Sequence, residues 1–262
     1  MKMRNICLVF LPFCALSAYA DAITLGTAGS FGVLAGSTVT NTGPSDVIGD
    51  IGVSPGSAIT GFPSPGTLTG TEYAADPGGV AAQAESDLTT AYNTAKGEAC
   101  PGGNNLTGQD LGTLGAALTP GVYCFNSSAQ LTGTLTLSGT GDYIFQIGST
   151  LTTASGSNVL LENGAQGQNV FWQVGSSATL NTTTSFEGNI LALDSITLDT
   201  GTNIGCGSAL ARTAAVTMDT NDVTVCASPV GASPEPRTAA LLGMGLLLGL
   251  IVWRRDSWKQ TA

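Results

Sequence analysis

One four-residue phrase, made of threonine, an apolar residue, asparagine or aspartate, and threonine, occurs three times in the second half of the sequence. The copies are Thr179-Leu180-Asn181-Thr182, Thr197-Leu198-Asp199-Thr200 and Thr217-Met218-Asp219-Thr220. Threonine combines a methyl group with a hydroxyl and has few χ1 options. A regular array of such side chains on a rigid scaffold could hold water in a fixed pattern. Thr150 and Thr152 extend the phrase to an earlier segment.

The two aspartates of the phrase, Asp199 and Asp219, are the only carboxylate stack that we find. Stacked carboxylates can serve glycoside hydrolysis, and aspartates can form a weak Ca²⁺ site. However, the sequence contains no histidine, and residues 21–233 contain only two cations, Lys96 and Arg212. Little is therefore available to adjust a carboxyl pKa or to hold an anionic sugar. We expect a protein that is not an enzyme and has no cofactor and no metal site.

The charge balance excludes one class of partner. Residues 21–233 carry sixteen aspartates and glutamates against the two cations, a formal net charge of −14. Such a surface repels phosphate backbones, so we expect no nucleic-acid binding.

The repeat also predicts the fold. In each copy the second residue is apolar between polar neighbours, which is the alternation of a half-buried strand. Apolar runs at residues 169–172, 189–192 and 208–211 precede the copies by nine to ten residues. A period of about nineteen residues with about three short strands per turn predicts a mainly β protein, a right-handed parallel β-helix or solenoid whose coils stack on one another.

One segment has helical periodicity instead. Asp76 can cap a helix, Pro77 suits the first helical position, and Gly97 marks a stop. Apolar residues between them recur at spacings of three and four. We predict one long helix at about residues 77–96, packed along one side of the solenoid.

The cysteines indicate an oxidising compartment. Cys7 and Cys14 lie in residues 1–20, which we expect to be removed as a signal peptide. Four cysteines then remain, and they allow three possible pairings. Cys206 and Cys226 are one coil apart, and neighbouring rungs at about 4.8 Å suit a disulfide. We therefore favour Cys206 with Cys226 and Cys100 with Cys124. A zinc site is disfavoured because histidine and a Cys-x-x-Cys pair are absent.

Both ends of the chain have the pattern of export signals. Lys2 and Arg4, the apolar run 6–16 and a small-x-small site at 18–20 predict a signal peptide at 1–20. The C-terminal part resembles the PEP-CTERM sorting signal of Gram-negative bacteria, with a linker at 228–237 and a membrane helix with a basic tail at 238–262. The matching residues are Pro234, Glu235, Pro236, Arg254 and Arg255.

The N-terminal pattern implies cleavage by signal peptidase after Ala20. The C-terminal resemblance implies removal near Pro234-Glu235-Pro236 by a sorting transpeptidase, and localisation in the cell envelope or an extracellular matrix. Membrane contact would be confined to the sorting helix. A permanent single-pass anchor is the alternative.

Long motifs between the two ends resemble a known family. The segments 25–62, 118–125, 141–157 and 169–203 are similar to the microbial ice-binding proteins, and the likeness covers nearly all of residues 22–227. It implies a discontinuous, triangular right-handed β-helix domain at 21–227 with a parallel α-helix, and adsorption to ice through a flat face. We expect a monomer, although the sequence does not fix the oligomeric state.

The outward positions of the repeats, together with the family's pattern of Thr, Ala or Gly, any residue, and Thr or Asn, supply the candidate ice-binding residues. Residues 200–203 match that pattern fully, whereas the aspartates depart from it. The candidates are Thr150, Thr152, Thr179, Asn181, Thr182, Thr197, Asp199, Thr200, Thr202, Asn203, Thr217, Asp219 and Thr220. A matrix or surface module that binds exopolysaccharide, without ice activity, is the alternative function.

Overall fold

The computed structural model describes residues 23–76 and 78–226. These residues form twenty short strands, one α-helix and four 3₁₀ turns at Gly26–Ser30, Gly102–Asn104, Leu111–Thr113 and Gly167–Asn169. The helix α1 is Val80–Gly97. The strands are β1 Phe31–Ala35, β2 Thr38–Asn41, β3 Asp46–Ile48, β4 Asp50–Val53, β5 Ala58–Thr60, β6 Thr67–Thr69, β7 Glu72–Tyr73, β8 Gly121–Phe125, β9 Ala129–Leu131, β10 Thr134–Ser138, β11 Tyr143–Ile147, β12 Leu151–Thr153, β13 Asn158–Glu162, β14 Val170–Val174, β15 Ala178–Leu180, β16 Ser185–Ala192, β17 Ile196–Leu198, β18 Asn203–Ala211, β19 Val216–Met218 and β20 Asp222–Thr224.

The strands stack in parallel as a three-faced solenoid, which confirms the predicted β-helix. The helix face contains β7, β4, β1, the second halves of β18 and β16, β14, β11 and β8. The threonine face contains β5, β2, β19, β17, β15, β12 and β9. The third face contains β6, β3, β20, the first halves of β18 and β16, β13 and β10.

The stacking order differs from the chain order. Strands β1 to β6 build two coils at one end and β7 begins a third. Helix α1 then carries the chain to the opposite end, where β8 begins. The later coils wind back until β18, β19 and β20 pair with β1, β2 and β3. Eighteen helical residues span about 27 Å, and the eight strands of the helix face have seven intervals of about 4.8 Å, or about 34 Å in all. The helix therefore runs along most of the stack that it crosses.

The helix packs on its face of the solenoid through small side chains. Ala81, Ala84, Leu88 and Ala91 are buried against a column of apolar residues that includes Leu34, Leu191, Leu210, Ile144 and Phe171. The interior of the solenoid holds a second cluster, in which aromatic rings stack from rung to rung. The ring centroids of Phe145 and Trp172 are 4.0 Å apart. Each coil thus buries its apolar side chains against its neighbours, as the repeat predicts.

The helix begins at Val80, later than the predicted Pro77. Gly78 has a φ of +77°, which lies outside the helical region and stops the helix from starting earlier. Asp76 still serves this helix end, since its carboxylate accepts from the Ala81 N–H at 3.4 Å. At the other end, the Gln146 amide donates to the carbonyls of Ala95 and Glu98, at 2.8 and 2.7 Å. This cap comes from a distant strand, so local periodicity could not reveal it.

Among the described residues, no helix is long and apolar enough to cross a bilayer. The expected signal peptide at 1–20 and the expected linker and sorting segment at 228–262 lie outside the described residues.

Both predicted disulfides are present. Cys100 is joined to Cys124, and Cys206 to Cys226 with a Cα separation of 4.6 Å, which is the distance between adjacent rungs. The second bond fastens the last described residue to β18.

We predict that replacing both Cys206 and Cys226 with serine lowers the free energy of unfolding by about 3 kcal/mol, because the unfolded chain is no longer restricted by this loop. Urea denaturation measured by circular dichroism gives the value. The intact Cys100–Cys124 bond keeps the comparison specific to the last coil. An unchanged denaturation midpoint would show that the Cys206–Cys226 disulfide does not contribute to stability.

Helix α1 carries a partly buried carboxyl group, that of Glu85. Within the described residues, Oε1 of Glu85 is buried and has no hydrogen-bond partner. Burial raises the pKa of Glu85 from 4.5 to about 8, although the positive charge of Arg212 acts in the opposite direction. Between these two values, the carboxyl is neutral in the folded protein and ionised in the unfolded chain. Raising the pH through this window therefore destabilises the fold.

We predict that Glu85→Gln raises the free energy of unfolding by a few kcal/mol at pH 8 and has little effect below pH 4.5, where both states are neutral. Denaturation at several pH values tests this. Glu162→Gln, at an exposed position, is the matched control. Parallel stability curves for Glu85→Gln and the unchanged protein would contradict the assignment.

Candidate functional site

The threonine face is built from seven three- or four-residue strands in a continuous parallel ladder. Along β9, β12, β15, β17 and β19 the central residue points outward and both neighbours point into the core, as their burial patterns show. In β2 and β5 the outward residues at the same register are Thr40 and Thr60. The register aligns the outward residues in one column that runs along the whole stack. Its members, in order, are Thr60, Thr40, Thr217, Thr197, Thr179, Thr152 and Gln130.

A second outward column borders the first on the side of the helix face. It consists of the residues that precede the buried position of each strand, and hydroxyl groups connect successive rungs. The Thr150 hydroxyl donates to Ser128 at 2.8 Å, and the Ser195 hydroxyl donates to Ser177 at 3.0 Å. In the central column, Thr217 donates to Thr197 at 3.3 Å. Hydrogen bonds between rungs thus hold neighbouring hydroxyl groups at the spacing of the ladder.

A third outward column follows the strands and carries the charged residues of this face. It contains Asn181, Asp199 and Asp219. The carboxylate of Asp219 accepts hydrogen bonds from the hydroxyls of Thr200 and Thr220, at 2.6 and 3.2 Å. The charges therefore lie along one border of the face, and the central column is uncharged.

A shallow groove of about 190 Å³ separates the central column from the charged border over three rungs. Thr40, Thr217 and Thr197 form one wall, and Asp199 and Asp219 belong to the other. The groove is open to solvent and is lined by hydroxyl, methyl and carboxylate groups at regular intervals.

The structure separates the predicted site residues into three groups. Eight of them lie together on the threonine face: Thr150, Thr152, Thr179, Asn181, Thr197, Asp199, Thr217 and Asp219. Thr182, Thr200 and Thr220 lie at the vertex between this face and the third face. There the Thr182 hydroxyl donates to Ser155 at 2.8 Å.

Two of the predicted residues, Thr202 and Asn203, do not lie on the threonine face. They were predicted from the match of residues 200–203 to the family's pattern. Thr202 is completely buried, because the chain turns inward at the vertex and its hydroxyl donates to the carbonyl of Asn181 at 3.0 Å. Asn203 is exposed on the third face, where it pairs with Ser185 and Asp222. A four-residue motif that crosses a vertex cannot place all its side chains on one surface.

Sequence reasoning missed the contribution of the N-terminal coils. Thr40 and Thr60 belong to the central column, and Thr38 lies beside them in the second column. Their signal is the alternation Thr38-Val39-Thr40, in which Val39 is buried. The repeated motif does not reveal that these residues join the column, because β2 and β19 are far apart in the sequence. The backbone hydrogen bond from the Thr42 N–H to the Met218 carbonyl joins residues that are 176 positions apart.

The other two faces are less suited to binding a flat surface. The helix face is covered by α1. On the third face, β13 meets β16 through one residue pair, Asn158 with Ser185, and β16 and β18 have a register shift at Phe186 and Gly188. Exposed Ile48 and Leu160 project from it. The threonine face has neither a break nor a large exposed apolar side chain.

Metal binding has no support in the described part of the chain. Across residues 23–76 and 78–226, no group of three or more histidine, cysteine, aspartate or glutamate side chains converges as a metal site would require. The stacked pair Asp199 and Asp219 lies on an open face and faces hydroxyl groups.

Ice-binding proteins of two bacteria are similar in sequence to this chain over most of its length. The chain is 53% identical over 270 residues to an ice-binding protein of Nostoc sp. (strain HG1), an alignment that covers 97% of each chain. It is 34% identical over 216 residues to an ice-binding protein of Flavobacterium frigoris (strain PS1), which covers 78% of this chain and 77% of the relative.

Solved structures agree with the fold. An ice-binding protein from an Antarctic biological consortium superposes with a TM-score of 0.73 at 44% identity, over 84% of this chain and 96% of that one. An ice-binding protein from the Antarctic ascomycete Antarctomyces psychrotrophicus gives 0.73 at 40% identity, over 79% of this chain and 100% of that one.

The Ice-binding-like family profile matches residues 33–224, which span all three faces and the helix. This chain therefore belongs to the Ice-binding-like family.

Proposed function

We propose that the protein binds ice by adsorption through its threonine face. The observation that carries this proposal is the uninterrupted central column of six threonines and one glutamine across seven hydrogen-bonded rungs. Ice is a periodic array of hydrogen-bonding groups, and a rigid periodic surface can meet it at many points at once. The relatives named as ice-binding proteins in bacteria and a fungus support the assignment.

The physical basis is the addition of many weak contacts without an ordering cost. The buried neighbours of each column residue, such as Ile196 and Leu198 beside Thr197, fix its backbone. The χ1 angle of threonine is already restricted, and hydrogen bonds between rungs restrict the hydroxyl groups further. The surface is therefore preorganised, so each contact with ordered water adds to adsorption with little loss of conformational entropy.

The alternative, a matrix module that binds exopolysaccharide without ice activity, has weaker support. Nothing in the described residues favours a sugar site over the flat threonine face, and the relatives are named for ice binding. We propose no catalytic role for Asp199 and Asp219, since no cation that could hold an anionic substrate lines the groove beside them.

Export is consistent with the two disulfides. We propose in addition that residues 1–20 direct secretion and that residues 228–262 serve as a sorting signal for the envelope or matrix of a Gram-negative cell. The support for the second step is the sequence pattern of Pro234-Glu235-Pro236, an apolar run and Arg254-Arg255.

The first test uses purified residues 21–233. We predict that this protein shapes ice crystals and inhibits recrystallisation. Thr197→Tyr should weaken the effect about tenfold, or roughly 1.4 kcal/mol, because a bulky ring in the central column holds the face away from ice. Thr224→Tyr, a change of the same kind on the third face, should have no effect. Ice growth like that in buffer would refute ice binding, and equal loss in both variants would refute the assignment of the face.

The second test concerns the charged border. A carboxylate keeps its own hydration shell and resists transfer to a surface of ordered water. We predict that Asp199→Asn with Asp219→Asn strengthens recrystallisation inhibition several-fold, since the amides keep the shape without the charge. Asp46→Asn with Asp222→Asn, which removes the same charge from the third face, is the control. A loss of activity in the first pair would instead assign these carboxylates a positive role.

A further inference from the structure

The threonine face is assembled from two parts of the chain that are distant in sequence. Two of its seven strands, β5 and β2, come from the N-terminal coils, and the later coils supply β19, β17, β15, β12 and β9. Within each part, one coil of the chain connects each rung to the next. At the junction of β2 with β19, which we call the seam, the two parts meet through hydrogen bonds and packing.

A flat face of seven rungs requires the same spacing on both sides of the seam. The ladder crosses the seam with three residue pairs, of which Thr40 with Thr217 belongs to the central column. The shallow groove crosses it as well, since Thr40 lines it from one side, and Thr197 and Asp199 from the other. A shift at the seam would divide the face into arrays of two and five rungs. Because weak contacts add together only when one rigid surface presents them, such a shift would weaken adsorption.

Three buried polar side chains bridge the seam beneath the face. They are Asn41, Ser45 and Asn221, which are 4%, 1% and 1% exposed. The Ser45 hydroxyl accepts a hydrogen bond from the Asn221 N–H at 2.9 Å and donates one to Asn41 Oδ1 at 2.7 Å. Asn221 belongs to the last coil, whereas Ser45 and Asn41 belong to the first coils. This single hydroxyl group therefore joins the two parts of the face.

The two amides extend the bridge to the rungs on either side. Asn221 Oδ1 accepts from the Asp219 N–H at 2.6 Å, and its Nδ2 donates to the Asp199 carbonyl at 2.8 Å. On the other side of the seam, Asn41 Nδ2 donates to the Gly61 carbonyl at 3.1 Å. These contacts hold the backbone within two residues of four successive members of the central column, Thr60, Thr40, Thr217 and Thr197.

The position of Asn221 is occupied by smaller groups elsewhere in the stack. Where the chain is continuous from coil to coil, the corresponding buried residues are Ser157, Thr184 and Thr202. Each has one hydroxyl group; that of Ser157 donates to the Leu131 carbonyl at 2.9 Å. The asparagine amide can accept one bond and donate two, so it holds the backbone of two neighbouring rungs at once. The larger polar group lies where covalent continuity between rungs is missing.

We propose that Asn221 and Ser45 are positioning residues for ice binding, which hold the two parts of the threonine face together as one array of seven rungs. This inference rests on the proposed function of that face. Both residues are buried, so they do not contact ice and act through the backbone beside Thr40 and Thr217. Loss of the bridge uncouples Thr40 and Thr60 from the other five rungs.

The first measurement compares two buried serines in residues 21–233. Ser45→Ala removes the bridging hydroxyl, and Ser157→Ala is the matched control, because both serines are 1% exposed and donate one hydrogen bond from the same position of their coils. Urea denaturation should show similar losses of stability. Only Ser45→Ala should weaken recrystallisation inhibition several-fold, since only this change releases the seam.

A variant at the amide gives an independent check. Asn221→Thr introduces the side chain that Thr184 and Thr202 have at the corresponding position, so the fold can accept it. The hydroxyl cannot hold Asp199 and Asp219 together, and we expect the same loss of recrystallisation inhibition as in Ser45→Ala.

The second measurement separates positioning from stability. Thr40→Ala with Thr60→Ala removes the threonines on the N-terminal side of the seam. In the Ser157→Ala background this pair should lower recrystallisation inhibition as much as it does in the otherwise unchanged protein. In the Ser45→Ala background it should have little further effect, because these rungs no longer act with the others. A loss of stability alone would not produce this difference.

The outcomes distinguish this inference from the function on which it rests. Full activity of Ser45→Ala, equal loss in both serine variants, or an equal effect of the alanine pair in both backgrounds would refute the positioning role and leave ice binding intact. If the unchanged protein does not inhibit recrystallisation, the proposed function is wrong and the positioning role is refuted with it.

Discussion

The parallel ladder between the first coils and the last coil is the interaction on which the rest of the structure depends. Val33 pairs with Ala209, and Thr40 pairs with Thr217, across most of the sequence. Parallel strands cannot be joined by a tight turn and need a long crossover, which α1 provides by returning the chain along the stack. Without this closure, β18, β19 and β20 would expose an open sheet edge. The threonine face would lose two of its seven rungs.

The sequence predicted the features that depend on spacing and alternation. The period of eighteen to twenty residues identified the coil, and two cysteines one period apart identified the Cys206–Cys226 bond. Features that depend on tertiary arrangement were not accessible. Thr40 and Thr60 join the central column because β2 pairs with β19 and β5. The sequence period of the later coils does not include these N-terminal strands. The outward assignment of Thr202 was wrong because strand alternation ends at the vertex, where backbone carbonyls attract its hydroxyl.

Buried polar side chains at this vertex explain how the threonine face can end abruptly and stay flat. The carbonyl groups of a tight corner face inward and need donors, since unpaired buried polar groups are costly. Asn221 donates to the carbonyls of Asp199 and Thr202, and Thr184 donates to that of Asn181. One such residue occurs in successive coils, in the ladder Ser45, Asn221, Thr202, Thr184 and Ser157. Some side chains of the repeated phrase therefore lie on the outer surface. Side chains of the residues after it lie in the interior, where they bond to backbone carbonyl groups.

The distribution of charge follows from the demands of the same surface. A central column of threonines must be uncharged to approach ordered water, yet an uncharged periodic face also invites contact with other copies of the chain. The strongly acidic remainder of the surface opposes such contacts through long-range repulsion. Arg212, one of two cations in residues 21–233, is half-buried against the helix: its guanidinium lies 4.6 Å from the Tyr92 ring centroid, and its Nε donates to the Thr89 hydroxyl. Its positive charge thus helps to hold α1 to the solenoid.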